Sequence, residues 1–290
     1  NRRQFSIDVE HFKWPTEYRY PDITYKHDIS FKCGDLTFNL HHARGETDDH
    51  TWIHVPEEKL IAPGDLFIWA VPNGGNPQKV QRYISDWADA LDEMLKLDCE
   101  IFLPGHGFPI LGKKRIEKAL ETTSKFLRSI EDQTLKLMNQ GKSLNQVLHE
   151  VKIPNDLMEL PWLTPIYDDP QFLIRMVWRR YGGWWDGEYD RLLPAPRKDE
   201  ALAWVELSNG IDNIILKALE LLDKGNFKVA AQLIETAFHA DNDNDRMHDA
   251  RAKIYREFSL KQSSSMGRNI LNHASMASAQ GKRDLAQTED

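Results

Sequence analysis

The chain has 290 residues, 41% of them hydrophobic and 28% charged, which is enough length and apolar content for two domains with cores of their own. The 45 acidic residues outnumber the 37 basic ones and leave a net charge of −8, which argues against general nucleic-acid binding. No run approaches the ~20 apolar residues of a membrane helix. The two cysteines, Cys33 and Cys99, make neither a CxxC pair nor a disulfide framework, so each reads as a free, buried thiol.

Residues 1–111 read as β-rich with short helical inserts. Phe5-Ser6-Ile7-Asp8-Val9 alternates, and so do Ile29-Ser30-Phe31-Lys32 and Leu36-Thr37-Phe38-Asn39-Leu40. The last two flank Gly34-Asp35 and predict a hairpin. Thr51-Trp52-Ile53-His54-Val55 is a further strand, Pro56-Glu57-Glu58-Lys59 a polar turn, and Leu60-Ile61-Ala62 opens the next strand. Between residues 78 and 97 the period changes. Val80, Tyr83, Ile84, Trp87, Leu91, Met94 and Leu95 recur at three and four, which predicts an amphipathic helix. Glu100-Ile101-Phe102-Leu103-Pro104 is then a short buried strand that delivers Gly105-His106-Gly107 at its end. Strand, helix and strand in that order predict an α/β layer.

Beyond Leu111 the pattern is helical. Residues 113–139 form one long predicted helix ended by Gly141, and 143–151 form a shorter one with Ser143 as cap. A proline-rich connector covers 161–170 and a helix 172–181. Gly182-Gly183-Trp184-Trp185-Asp186-Gly187 follows, and Leu193-Pro194-Ala195-Pro196 reads as a linker. Residues 199–258 form helical pairs with small residues at the crossing and a Gly225-Asn226 turn. They suit either a tetratricopeptide-type hairpin or a simple helical bundle. From about residue 261 the Ser-, Asn- and Ala-rich sequence predicts a flexible tail. The expected organisation is thus an α/β domain over 1–111, a helical domain over 112–260 and a tail over 261–290.

Three residues with metal-ligand chemistry sit beside glycine at turns that follow strand-like runs: Glu46, Asp65 and His106. Any one of them alone reads as a turn cap or a surface histidine; the three together, in this order, point to a metal site. After the Asp65 strand, Asn73-Gly74-Gly75-Asn76 leads into a predicted helix start. Asn73, Asn76, Lys79 and Arg82 are placed there to hydrogen-bond an anion. His42 and His50 lie near the Glu46 turn and read as bystanders.

These motifs resemble the second half of a metallo-β-lactamase-fold hydrolase, and most closely the alkyl- and aryl-sulfatase branch. Ala43-Arg44-Gly45-Glu46-Thr47, Pro63-Gly64-Asp65-Leu66 and Leu103-Pro104-Gly105-His106-Gly107 stand where that fold carries its later ligands. The alkylsulfatases use glutamate at the first position, nineteen residues before the next acidic ligand, and Glu46 and Asp65 are likewise nineteen apart. They often carry glutamate at the second position, where this chain has aspartate. The resemblance implies a partial αββα sandwich followed by an all-α dimerisation domain, and two divalent ions, zinc by default with manganese or iron as alternatives. Glu46 and His106 would each bind one ion, and Asp65 would bridge them. The implied reaction is hydrolysis of a sulfate ester such as an alkyl sulfate. Other esters (thioester, lactone, phosphodiester) on the same scaffold, or a non-catalytic helical interaction protein, are the alternatives.

The His-x-His-x-Asp-His run that supplies the remaining ligands in that fold is absent from this sequence; His41-His42 and Asp48-Asp49-His50 lack its spacing. The chain is therefore expected to be a C-terminal portion of a longer protein and inactive alone, with a degenerate relative that has lost catalysis as the alternative. With no apolar run of membrane-helix length a soluble protein is expected, and because the sequence begins Asn1-Arg2-Arg3-Gln4 without a methionine its compartment, cytoplasmic or periplasmic, is left open. The Gly182–Gly187 stretch resembles one in the sulfatase helical domain, which implies a homodimer with Trp184 and Trp185 as interface anchors.

Overall fold

The structure, a computed structural model, describes residues 15–285, so the alternating run at 5–9 lies outside the described residues. Two compact units emerge, Pro15–Arg191 and a second from Leu192 onward. Among the described residues no helix is long and apolar enough to cross a membrane.

The first unit is built on one six-stranded sheet with spatial order β1 to β6. β1 (Asp28–Cys33) and β2 (Leu36–Ala43) form the expected hairpin, with Cys33 opposite Leu36, and β3 (His50–Val55) and β4 (Leu60–Ile68) continue it antiparallel. β4 and β5 (Ile101–His106) are parallel, which requires a crossover, and α1 (Ile84–Met94) provides it. The two-residue β6 (Ile110–Leu111) closes the sheet antiparallel to β5. Trp87, Leu91 and Met94 of α1 enter one core with Trp52, Phe67 and Phe102 of the sheet. Each such side chain contributes roughly 1.5–3 kcal/mol on burial.

The predicted helix over 78–97 is real only from 84 to 94. Residues 78–83 stay irregular because their polar groups are committed elsewhere. The Gln78 N–H donates to Asn76, the Gln81 side chain donates to the carbonyls of Arg82 and Met176, and the Arg82 side chain turns inward. Val80, expected on the buried stripe, is exposed. Cys99 is buried and its thiol is pushed up to about 11 by that burial, but Cys33 is exposed at the end of an edge strand, contrary to expectation.

α2 (Lys113–Asn139) buries Ile116, Leu120, Phe126, Leu127 and Ile130 into the same core as the sheet. The compact unit accordingly does not end at 111. It runs on through α3 (Leu144–Glu150), the short α4 (Asn155–Met158) and α5 (Pro170–Gly182) to Arg191. The Pro-rich connector before α5 is pinned by a Val71 N–H bond to the Thr164 carbonyl.

The second unit contains α6 (Arg197–Leu207), α7 (Ile211–Asp223), α8 (Phe227–Ala240), α9 (Asp245–Leu260) and α10 (Ser265–Ala279). α7 starts at 211 and α9 at 245, 34 residues on, which is the tetratricopeptide period. Ala218, Ala230, Ile234, Ala237 and Ile254 fill its core. The expected flexible tail is corrected: residues 265–279 are helical. Ser264 caps α10 through the Gly267 N–H, Met266 and Ala277 are buried, and Arg251 of α9 donates to Ser278 and the Ala274 carbonyl. Its polar composition misled because small Ser and Ala residues allow close helix packing while their hydroxyls find backbone partners, as Ser275 does at Ala252.

Candidate metal and anion site at the strand ends

Asp65 and His106 come together because β4 and β5 run parallel and both lose regular register as they reach these residues. Gly64 adopts φ +57°, and a Cβ there would sit 2.8 Å from the His50 ring, so the bulge that aims Asp65 needs glycine. On β5 a Cβ at Gly105 would lie 2.2 Å from Asp65 Oδ1 and 2.7 Å from the Gly64 carbonyl carbon. The two glycines thus let the strands approach closely enough for His106 Nε2 to stand 3.5 Å from Asp65 Oδ1. His106 is 74% exposed, so this contact by itself adds little stability.

Glu46 lies on the loop between β2 and β3 and is held differently. Its Oε1 accepts from Arg82 Nη1 at 2.6 Å and from Asn73 Nδ2 at 3.0 Å. Arg82 is only 3% exposed, and its Nη1 also donates to the Asn73 carbonyl at 2.5 Å. The Tyr83 N–H bonds the Gly45 carbonyl, tying the two loops together through their backbones. Two polar atoms in this knot, Arg82 Nε and Asn73 Oδ1, are buried without a hydrogen-bond partner.

Asn76 is buried, and its Oδ1 accepts the Gln78 N–H, while Lys79 is exposed with no ion pair among the described residues. His50 Nε2 bonds the Pro63 carbonyl and His42 Nε2 the Asp48 carbonyl, so both brace the loops.

The sequence reading missed Asp168 and Tyr167. Asp168 is fully buried, accepts the Gly75 N–H at 2.9 Å, and burial pushes its carboxyl up to about 7, against the pull of Gly75, the Asp169 N–H and Arg82. Tyr167 is half-buried, and its phenol is raised first by burial and then by the carboxylates of Asp168 and Glu46. A signal was available in the pair Asp168-Asp169 before Pro170: Asp169 caps α5 through the Gln171 N–H, and one cap needs only one carboxylate.

The donor chemistry of Glu46, Asp65 and His106 fits part of a divalent-metal site, with two carboxylates and an imidazole on one loop and two adjacent strands. Asp65 and His106 are brought together. Glu46 is in an ion pair with Arg82, and among the described residues no three His, Cys, Asp or Glu side chains are grouped so as to hold an ion.

Comparison with known proteins shows what this chain is similar to. Residues 143–281 match the alkyl sulfatase dimerisation family. The chain is 25% identical over 239 residues to a linear primary-alkylsulfatase of Pseudomonas sp., covering 81% of this chain and 45% of that protein. It is 27% identical over 183 residues to the alkyl/aryl-sulfatase BDS1 of Saccharomyces cerevisiae, covering 63% of this chain and 28% of the relative. The chain thus spans less than half the length of these relatives. The fold is that of the sec-alkylsulfatase Pisa1 from Pseudomonas sp., with a TM-score of 0.85 at 23% identity over 90% of this chain and 42% of that one. Residues 143–281 thus match the alkyl sulfatase dimerisation family, and over most of its length the chain is similar in sequence to proteins named alkylsulfatases and shares the fold of one of them.

Proposed function

We propose that the protein hydrolyses sulfate esters of the alkyl type with the help of divalent metal ions, and that it forms a homodimer through residues 143–281. The observation that carries the reading is the approach of His106 to Asp65 across two glycine-lined strand ends, in a chain similar to proteins named alkylsulfatases. Asp65, His106 and Glu46 would hold the metal, with the remaining donors coming from beyond the described residues. Bound metal ions would acidify a water and offset charge on the ester oxygens.

The residues of this chain have separable tasks in that scheme. Asp65 and the exposed His106 imidazole would hold metal from the two adjacent strand ends. Lys79, on the loop after β4, is proposed to meet the sulfate group, supplying an exposed positive charge. Zinc is the default ion, because carboxylate and imidazole donors suit it.

The test is turnover of dodecyl sulfate against a panel of lactones by the longest natural form of the protein, with bound zinc measured on the same sample. Sulfate release that falls by orders of magnitude together with zinc content in Asp65→Ala supports the reading. Unchanged turnover in that variant would remove Asp65 from the mechanism. Activity confined to lactones would replace the substrate class.

A further inference from the structure

We propose that Arg82 and Asn73 are positioning residues that hold the Glu46 carboxylate in place, and that Arg82 is not part of the surface that grips the substrate's anionic group. The inference rests on the reading of Glu46 as a metal ligand given above and assigns the two residues a task within that site.

The geometry separates Arg82 from an anion-binding arginine in three ways. First, its charge is already matched. Nη1 stands 2.6 Å from Glu46 Oε1, so an arriving sulfate would meet a closed ion pair instead of a free cation. Second, it is inaccessible. At 3% exposure, reaching its guanidinium would mean opening the knot, and breaking a buried pair leaves an uncompensated charge inside the protein. Third, the pair is reinforced on the same carboxylate oxygen: Asn73 Nδ2 donates to Oε1 at 3.0 Å, and the Asn73 carbonyl accepts from Arg82 Nη1 at 2.5 Å. Glu46, Asn73 and Arg82 therefore form a closed triangle in which both contacts to Glu46 fall on one oxygen.

The triangle is supported from behind. Buried Asp168 accepts the Gly75 N–H and fixes the loop that carries Asn73. The Gln81 side chain bridges the Arg82 and Met176 carbonyls, anchoring the Arg82 backbone to α5. A carboxylate whose orientation is set by hydrogen bonds from a second layer is how proteins pre-aim a metal ligand. Lys79, on the same loop, is exposed and makes no ion pair among the described residues, so the anion-contacting and ligand-holding tasks fall to different residues.

The experiment compares wild type with Arg82→Ala, Arg82→Lys and Asn73→Ala in the longest natural form of the protein. It reads zinc affinity by competition with a chromophoric chelator, kcat and KM on dodecyl sulfate, and inhibition by inorganic sulfate. Circular dichroism melts report whether each variant folds. Arg82→Ala is expected to lose about 10- to 100-fold in zinc affinity and kcat with KM and sulfate inhibition unchanged. Arg82→Lys should recover only part, because one ammonium replaces a guanidinium that reaches both acceptors. Asn73→Ala removes a donor without stranding a buried charge, so it carries the test if Arg82→Ala does not fold, and it should weaken zinc in the same direction. Zinc affinity kept at the wild-type value with a raised KM and weakened sulfate inhibition would make Arg82 a substrate-binding residue and overturn the proposal. A wild type that binds zinc but turns over no sulfate ester would sink the proposed activity alone, because the zinc comparison among the variants still decides the role of Arg82. A wild type that binds no zinc would remove Glu46 as a ligand and the proposal with it.

Discussion

At the scale of single residues, the site depends on two kinds of fixed position: a glycine where a side chain has no room, and a buried carboxyl held in an unusual state. Gly105→Ala would place a methyl group against Asp65 Oδ1 and the Gly64 backbone, and the backbone cannot give way without shifting the strand. It is expected to cost about 1–3 kcal/mol in urea unfolding and to abolish the approach of His106 to Asp65. Loss of zinc affinity in a folded Gly105→Ala protein would be the corresponding signature, and unchanged affinity would show that the strand approach is not what assembles the ligands. Asp168 gives a pH prediction. Burial raises its carboxyl from the usual 3.8 to about 7, so between those values the folded protein binds a proton the unfolded chain releases. Its ionisation therefore weakens folding progressively as pH rises from about 4 to about 7, by up to the order of 4 kcal/mol, and the effect levels off above that. Asp168→Asn keeps an oxygen for the Gly75 N–H and cannot ionise, so its stability relative to wild type should increase across that window. Urea midpoints measured from pH 4.5 to 8 check this, and parallel pH profiles for the two proteins would refute it. Glu46, Asp65 and His106 could be singled out as candidates from the sequence because ligand chemistry beside glycine is a local pattern. The partners of Glu46 were not, because a hydrogen bond between residue 46 and residues 73 and 82 is written in no local period.

At the scale of elements, helix caps and hydrophobic stripes were read well, and the start of α1 was not. Ser143 accepts from the Gln146 N–H and Gln146 Oε1 accepts from the Ser143 N–H, a reciprocal capping box that starts α3 where the sequence placed it. Ser143→Ala is expected to lower stability by about 1 kcal/mol with no change in metal binding, as read by thermal melts and chelator competition. A larger loss would mean that the neighbouring stretch at Asp186, whose carbonyl accepts the Leu144 N–H, depends on the same cap. For α1 the three-and-four spacing extends back to Val80, yet the helix begins only at Ile84. Residues 78–83 are held by side-chain bonds to Asn76, Asn73 and Met176, and that tertiary anchoring outweighs the weak propensity of a few residues. α10 shows the reverse: a stretch too polar to suggest a core is helical because α9 supplies partners for its hydroxyls.

At the scale of the whole molecule, the α/β unit and the helical unit each have their own core, and the matched dimerisation region includes residues of both. The Trp184-Trp185 pair divides by role. The Trp185 indole donates to the Glu188 carbonyl and its own carbonyl accepts from Trp178, whereas Trp184 is 77% exposed. If the proposed homodimer uses this stretch, Trp184→Ala should raise the dimer Kd by about tenfold or more in sedimentation equilibrium while leaving the circular dichroism spectrum unchanged. An unaltered Kd would move the interface elsewhere in residues 143–281. By itself the sequence determined the order of strands and helices, the hairpin, the strand–helix–strand crossover and the residues with ligand chemistry, because alternation, three-and-four spacing, caps and glycine flanks are all local signals. The tertiary structure alone decided that the compact unit extends to Arg191, that Asp65 meets His106 while Glu46 is locked by Arg82 and Asn73, and that Asp168 is buried beneath the loop. Those outcomes depend on which distant segments pack together, and packing between residues far apart in the chain leaves no periodic trace in the sequence.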